Sequence, residues 1–385
     1  MTARPPKLRA VGAVLAVAAA LAGCAQFPEE HTGAFREQPS LQPQAGPAPS
    51  VEGEPPPLSG PAAPPPEPPK PTGPCDDPDP SVIATCLNPV GAIAPLPDGR
   101  SAVVAERATG RIMRITRGSP PRQIARIPAD PSGGGGVTGL ALSPHFAEDQ
   151  LLYAYTSTGG GNAVYRIAPR DRPKPVLTGI PRGPSGNGGA MAQDGQGALL
   201  VATGDAGSAQ LAADPRSLAG KVLRIDGFGH PAPDNPTPSS PVVTAGLAQP
   251  GGLCTAPGSG TYWVTDRGGE RDSLYRTGPD QPLSPAWSWP EKPGVAGCAV
   301  TRSQVVVALT GASALYTLTP TAEGGFAGQP AKVLENSYGQ FSAATQSTSG
   351  LVWLGTSNKA GGRPVASDDR VLRLLPPSGG AAGKE

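Results

Sequence analysis

The chain is poor in the groups that do most chemistry at neutral pH. It has 3 histidines and 5 cysteines in 385 residues, so an imidazole-based acid or base must come from His31, His145 or His230. No Cys-x-x-Cys pair occurs and no histidine lies near Cys75, Cys86, Cys254 or Cys298 in sequence, which argues against a zinc site. Aromatic residues make up 4% and the formal net charge is +1. With neither a basic stripe nor a stacking platform, nucleic acid is not a partner. The glycine run Gly133–Gly136 lacks the Lys-Ser/Thr and following helix of a phosphate loop, and no Gly-x-Ser-x-Gly elbow is present. A helical period of useful length is missing too; at most Pro215–Leu218 reads as a helical turn.

What the chain has in excess is glycine and proline, 53 and 51 residues. Part of it cannot be packed core. Arg4, Lys7 and Arg9 precede an uncharged apolar run, Val11–Ala20, that is short for a membrane span. The run ends in Leu21-Ala22-Gly23-Cys24, which reads as a lipobox. The expectation is a signal peptide over 1–23 and a lipidated Cys24, with acyl chains holding the protein on the extracytoplasmic face of the cell membrane. No other segment is apolar and long enough to span a bilayer. Residues 24–74 contain Pro55-Pro56-Pro57 and Pro64-Pro65-Pro66 and read as a disordered, extended tether. Residues 378–385 read as a flexible tail. An exported chain meets an oxidising compartment, so Cys75, Cys86, Cys254 and Cys298 are expected in disulfides. Four cysteines allow three connectivities; local pairing, Cys75 with Cys86 and Cys254 with Cys298, is the preferred one.

From Cys75 to about residue 377 the texture is all-β. Short runs of Val, Ile, Leu and Tyr alternate with Gly, Pro and Asp clusters. They come in pairs: Ser101–Glu106 before Gly110–Ile115, Leu151–Thr156 before Ala163–Ile167, and Ala198–Thr203 before Lys221–Ile225. Thr261–Thr265, Gln304–Leu309 and Leu351–Thr356 each open a further pair. Six recurrences of one two-strand unit predict a six-bladed β-propeller, whose radial sheets protect their own edges. A β-sandwich would explain the strands but not the recurrence.

Several segments carry a family resemblance. Glu106-Arg107-Ala108-Thr109-Gly110-Arg111-Ile112, Gly139–Phe146, Thr203-Gly204-Asp205-Ala206-Gly207, Asp214–Asp226 and Asp234-Asn235-Pro236 resemble motifs of the glucose/sorbosone dehydrogenase family. The resemblance covers about residues 88–376, and with lipobox and tether the layout is similar to that of actinobacterial lipoproteins of that family. It implies a six-bladed propeller. In active members it implies pyrroloquinoline quinone (PQQ) over the central channel beside a calcium ion, a histidine as general base, and arginines on the quinone carboxylates.

This sequence departs from that pattern. Gly186 of Gly186-Asn187-Gly188-Gly189 occupies the histidine position. Ala248 and Gln249 stand where an Arg and an Asn are expected, and Gly339-Gln340-Phe341-Ser342 supplies no arginine. The calcium-side segment aligns loosely with Asp266-Arg267-Gly268-Gly269. Loss of a general base alone typically costs 10²–10⁴-fold in rate. The expectation is a retained fold with its quinone chemistry lost and no catalytic residue, binding a small molecule or protein. Asn187, Asp205, Gln249, Asp266 and Gln340 are the candidate ligand groups at the channel mouth. An active dehydrogenase with a rearranged site and a structural scaffold are the alternatives. Asp205 also reads as a turn cap, and Trp287 and Trp289 as packing between blades. Asp214, Asp226, Asp234 and Asp266 offer oxygens but match no EF-hand spacing, so no metal site is assigned.

Overall fold

The computed structural model describes residues 73–255, 260–279, 281–322 and 324–377. The expected signal peptide, Cys24, the tether up to residue 72 and the tail 378–385 lie outside the described residues. None of the described helices is long and apolar enough to cross a membrane.

The described chain forms six antiparallel sheets of four strands each. Five sheets are built from four consecutive strands. The sixth combines Phe341–Gln346, Val352–Thr356 and Val371–Leu374 with Val82–Ala84 from the start of the domain. That exchange closes a six-bladed propeller, as the recurrence predicts. The Cys75–Cys86 disulfide stands beside this seam, and the second disulfide joins Cys254 to Cys298. Both are the locally paired bridges expected from sequence.

Each blade has a distinct inner, middle and outer character. The second strands, such as Ser101–Glu106, Leu199–Thr203 and Val305–Leu309, are buried along their whole length because a neighbouring blade covers each face. A Val- or Leu-sized side chain taken out of water contributes about 1.5–3 kcal/mol, so these strands hold most of the apolar stabilisation. One inter-blade layer sets Tyr153, Tyr155 and Val164 against Met191, Leu199 and Val201. Trp289 stacks on Tyr316 at 5.5 Å between ring centroids, and Trp287 meets Phe326 edge-on. Both tryptophans meet residues of the next sheet and so pack between blades, as expected.

The innermost strands are Val90–Pro95, Val137–Leu142, Gly189–Gln193, Pro250–Thr255, Val295–Val300 and Phe341–Gln346. They crowd round the axis and are rich in Gly and Ala. A Cβ on Gly91 would lie 1.9 Å from the Val137 carbonyl oxygen, and one on Gly297 would lie 2.1 Å from the Ala344 amide nitrogen. The waist of the channel they enclose is accordingly narrow, about 50 Å³, lined by Gly91, Gly139, Ala190, Gly251, Gly297 and Ala343 among others, and it widens to about 440 Å³ toward the far ends of the same strands, past Ala94, Leu142, Gln193 and Thr255.

One element differs from expectation. Pro215–Leu218 carries no helix; the helical turn lies just before it, at Ala209–Ala213. Ser208 caps that turn, its hydroxyl accepting the Leu211 N–H, whereas Pro215 follows an extended residue, Asp214.

Candidate functional site at one mouth of the propeller

Antiparallel register sets the start of each innermost strand against the end of the second. Val90 faces Glu106, Gly189 faces Thr203, Pro250 faces Asp266 and Phe341 faces Thr356. The loops before the innermost strands and after the second strands therefore gather round one mouth of the channel. Gly186, Asn187, Asp205, Gln249, Asp266 and Gln340 all lie on these loops or strand ends. His145 and His230 lie on first-to-second and third-to-fourth strand connections, at the opposite face. His31 is outside the described residues. Among the described residues, no imidazole reaches the mouth.

Gly186 sits in the left-handed region, at φ 62°. A Cβ there would lie 2.2 Å from Asp205 Oδ1 and 2.9 Å from the Gly207 amide nitrogen. The position excludes any side chain in this conformation. Asn187 is fully buried, and its amide is committed to its own loop and, at 3.4 Å, to the Ser132 carbonyl. Its Oδ1 accepts the Gly183 N–H at 2.9 Å while Nδ2 donates to the Gly183 carbonyl at 2.7 Å. Asp205 is partly buried; its Oδ1 accepts the Gly207 N–H at 2.7 Å, the turn cap its position suggested. Gln340 is on the same face but at the sixth blade, where its N–H donates to Asn358 Oδ1 at 2.7 Å.

Asp266 is the strongest electrostatic feature. It is buried, and its carboxylate accepts the Ala248 N–H at 3.0 Å and the Gln249 N–H at 2.6 Å. Burial pushes its carboxyl up to about 6, with the Asp205 charge adding to the rise and the two amides and Arg267 opposing it. Glu106 is the corresponding acid of the first blade and behaves oppositely. Burial alone would raise it, but Arg111 clasps both oxygens at 2.6 and 2.7 Å, and Thr109 and the Asn88 N–H add to this, holding it below the usual carboxylate range.

Two residues at the mouth were not singled out from sequence: Arg107 and Arg267. Arg107 Nε donates to the Gly135 carbonyl at 2.9 Å and its terminal nitrogen to Gly134 at 2.7 Å. The Arg267 backbone N–H donates to the Gln249 carbonyl at 3.1 Å, but its guanidinium donates to no group among the described residues, and its Nε is buried without a partner. Burial holds both guanidinium groups below their ordinary range, and the Arg267 charge depresses Arg107 further. A signal was available: Glu106-Arg107 and Asp266-Arg267 are the same acid–Arg step, placed at equivalent strand ends in blades three apart.

The most recognisable motif residues turn out to brace the scaffold. The Lys221 ammonium is fully buried and donates to the carbonyls of Leu211, Ala212 and Ala219 at 3.2, 2.6 and 2.9 Å. Arg224 pairs with Asp194 at 2.7 Å and reaches Asn235, whose amide returns to the Arg224 carbonyl at 2.9 Å. The aspartates with free-looking spacing do not converge. Asp214 accepts the Arg216 N–H, and Asp226 accepts those of Phe228 and His230. Among the described residues no three His, Cys, Asp or Glu side chains gather as a metal cage.

The family model described as Glucose / Sorbosone dehydrogenase matches residues 87–277. A putative oxidoreductase (glucose dehydrogenase) from Thermus thermophilus is 30% identical with a TM-score of 0.70, over 76% of this chain and 98% of its own. The chain belongs to the glucose/sorbosone dehydrogenase family. The PQQ-bound aldose sugar dehydrogenase of Streptomyces coelicolor is 29% identical with a TM-score of 0.71, over 76% of this chain and 96% of that one. The aldose sugar dehydrogenase YliI of Escherichia coli is 27% identical over 179 residues, 41% of this chain and 47% of that protein. The match thus spans about half the length of that curated relative. This chain has the propeller of that family; no imidazole among the described residues reaches its mouth.

Proposed function

We propose that this protein is a lipid-anchored member of the glucose/sorbosone dehydrogenase family that works by binding a ligand or protein at the propeller mouth, on the extracytoplasmic face of the cell membrane, and not by quinone-dependent sugar oxidation. The observation that carries this reading is Gly186. Its positive φ and the 2.2 Å approach of Asp205 Oδ1 leave no room for the base the resemblance calls for. The residues present also fit PQQ poorly. A tricarboxylate needs several cationic partners. One guanidinium, Arg267, stands ready for a carboxylate, but Ala248, Gln249 and Gln340 add no charge and Arg107 already donates to two carbonyls, so three carboxylates are not matched. For calcium, no cluster of acidic side chains stands ready among the described residues. The anchor rests on the Leu21–Cys24 lipobox.

A second reading has one observation in its favour. Asp266, with its carboxyl near 6, is poised in the range of a general base at neutral pH, so a rearranged dehydrogenase would use it. One experiment separates the two. The full chain is titrated calorimetrically with PQQ and calcium, then assayed with an artificial electron-accepting dye over a panel of aldoses and alditols. The binding reading expects neither tight quinone binding nor turnover. Turnover abolished by Asp266→Asn would overturn it in favour of the second.

A further inference from the structure

We propose that the mouth of the propeller binds a small oxyanion, a carboxylate or phosphate group, on the unpartnered guanidinium of Arg267. This rests on the reading of the mouth as a ligand site and adds the chemical class of what it takes.

The argument starts from what a guanidinium requires. Arginine stays charged and carries five N–H donors in a fixed fork. Taking that charge out of water is costly unless acceptors replace the water. The other enclosed cations of this fold obey the rule. Arg224 has Asp194 and Asn235, Lys221 has three carbonyls, and Arg107 has Gly134 and Gly135. The Arg267 guanidinium alone of these has no acceptor among the described residues, and its Nε is closed off from solvent.

The carboxylates that would ordinarily satisfy it are committed elsewhere. Asp266, its chain neighbour, accepts the Ala248 and Gln249 N–H groups. Asp272, its cross-strand partner, accepts the N–H groups of Gly294 at 2.7 Å and Val295 at 3.0 Å. Neither forms an ion pair with Arg267. A second positive charge, Arg107, faces the same region, so the local field favours a ligand with negative charge over a neutral one. The side-chain amide of Gln249 lies at this rim against Gly134, where a Cβ would come within 2.4 Å of its Nε2. A fork of parallel N–H donors matches the two oxygens of a carboxylate or phosphate better than any single hydroxyl.

The test uses the full chain in detergent at low ionic strength, with glucuronate, glucose and inorganic phosphate as probes. Glucuronate and glucose differ in one carboxylate, so their difference isolates the charge. Glucuronate or phosphate is expected to bind at least tenfold more tightly than glucose, and Arg267→Gln to weaken that binding at least tenfold. Binding of glucuronate alone assigns the site to carboxylated ligands, and of phosphate alone to phosphorylated ones; either supports the inference. A melting measurement supplies the second readout. Removing a half-buried cation whose Nε is closed off without a partner relieves a cost, so Arg267→Gln is expected to melt above the parent in anion-free buffer. A lower melting point would overturn the unpartnered state. Glucose binding as tightly as glucuronate, weakened by Asp205→Asn but not by Arg267→Gln, would sink the oxyanion and leave the ligand-binding reading standing. Heat with none of the three probes, together with turnover on PQQ, would end both.

Discussion

Gly186 and Asp266 are the two mouth positions where local chemistry makes the clearest demands. A residue with a Cβ at φ 62° costs about 1–2 kcal/mol from backbone sterics alone. The contact with Asp205 adds to that, so Gly186→Ala and Gly186→His are each expected to lose about 2–3 kcal/mol or more, read from the denaturant midpoint. Neither should gain sugar-dependent dye reduction. Asp266 predicts a pH effect of definite sign. Burial lifts its folded pKa to about 6, whereas an unfolded aspartate titrates near 3.8. The folded state therefore holds the proton more tightly. Its contribution is full below about pH 4 and is lost as pH rises through 6, a change of order 3 kcal/mol. Unfolding curves of the parent and Asp266→Asn at pH 4 to 7 should show the parent losing ground steadily against the variant. A constant gap across that range would refute the raised value.

At the scale of elements, the sequence exposed the middle of each blade and hid both edges. Ser101–Glu106 and Lys221–Ile225 coincide with observed strands, because burial on both faces fills them with branched apolar residues. The innermost strands have the composition of loops, since the axis admits only small side chains; Pro250–Thr255 reads PGGLCT. The outermost ones are exposed and polar, as in Ser119–Arg126, which reads SPPRQIAR. Recurrence, not the strength of any one strand, made the propeller legible. The mouth was partly legible for a different reason: the family resemblance picked out Gly186, Asp205 and Asp266. The state of Arg267 depends on where Asp266 and Asp272 direct their oxygens, which no spacing rule reports. The two disulfides act on different parts of this frame. Cys254 and Cys298 lie on innermost strands of neighbouring blades and close 44 residues, against 11 for Cys75 and Cys86. By loop entropy the longer closure contributes about 4 kcal/mol and the shorter about 3. Replacing Cys254 and Cys298 by alanine is therefore expected to lower the guanidinium midpoint more than replacing Cys75 and Cys86 by serine.

For the whole molecule, the proposed lipid attachment makes a prediction of its own. Cys24→Ser is expected to leave the propeller folded but to move the protein from the membrane fraction to the soluble fraction. A variant that stays with membranes after a high-salt wash would refute the lipid attachment. The closure of the ring bears on how the chain comes to be folded. Ser367 donates a hydrogen bond to Asp77 across 290 residues of sequence, and Val82–Ala84 finds its partner only in Val371–Leu374. Five blades can zip up locally, since each is made from consecutive hairpins. The opening strand has to wait, its edge bare, until nearly the last residues arrive. Maturation of this protein is thus timed by its final stretch of polypeptide, and a chain stalled just short of residue 371 would present an open arc with two raw ends to whatever protease is nearby.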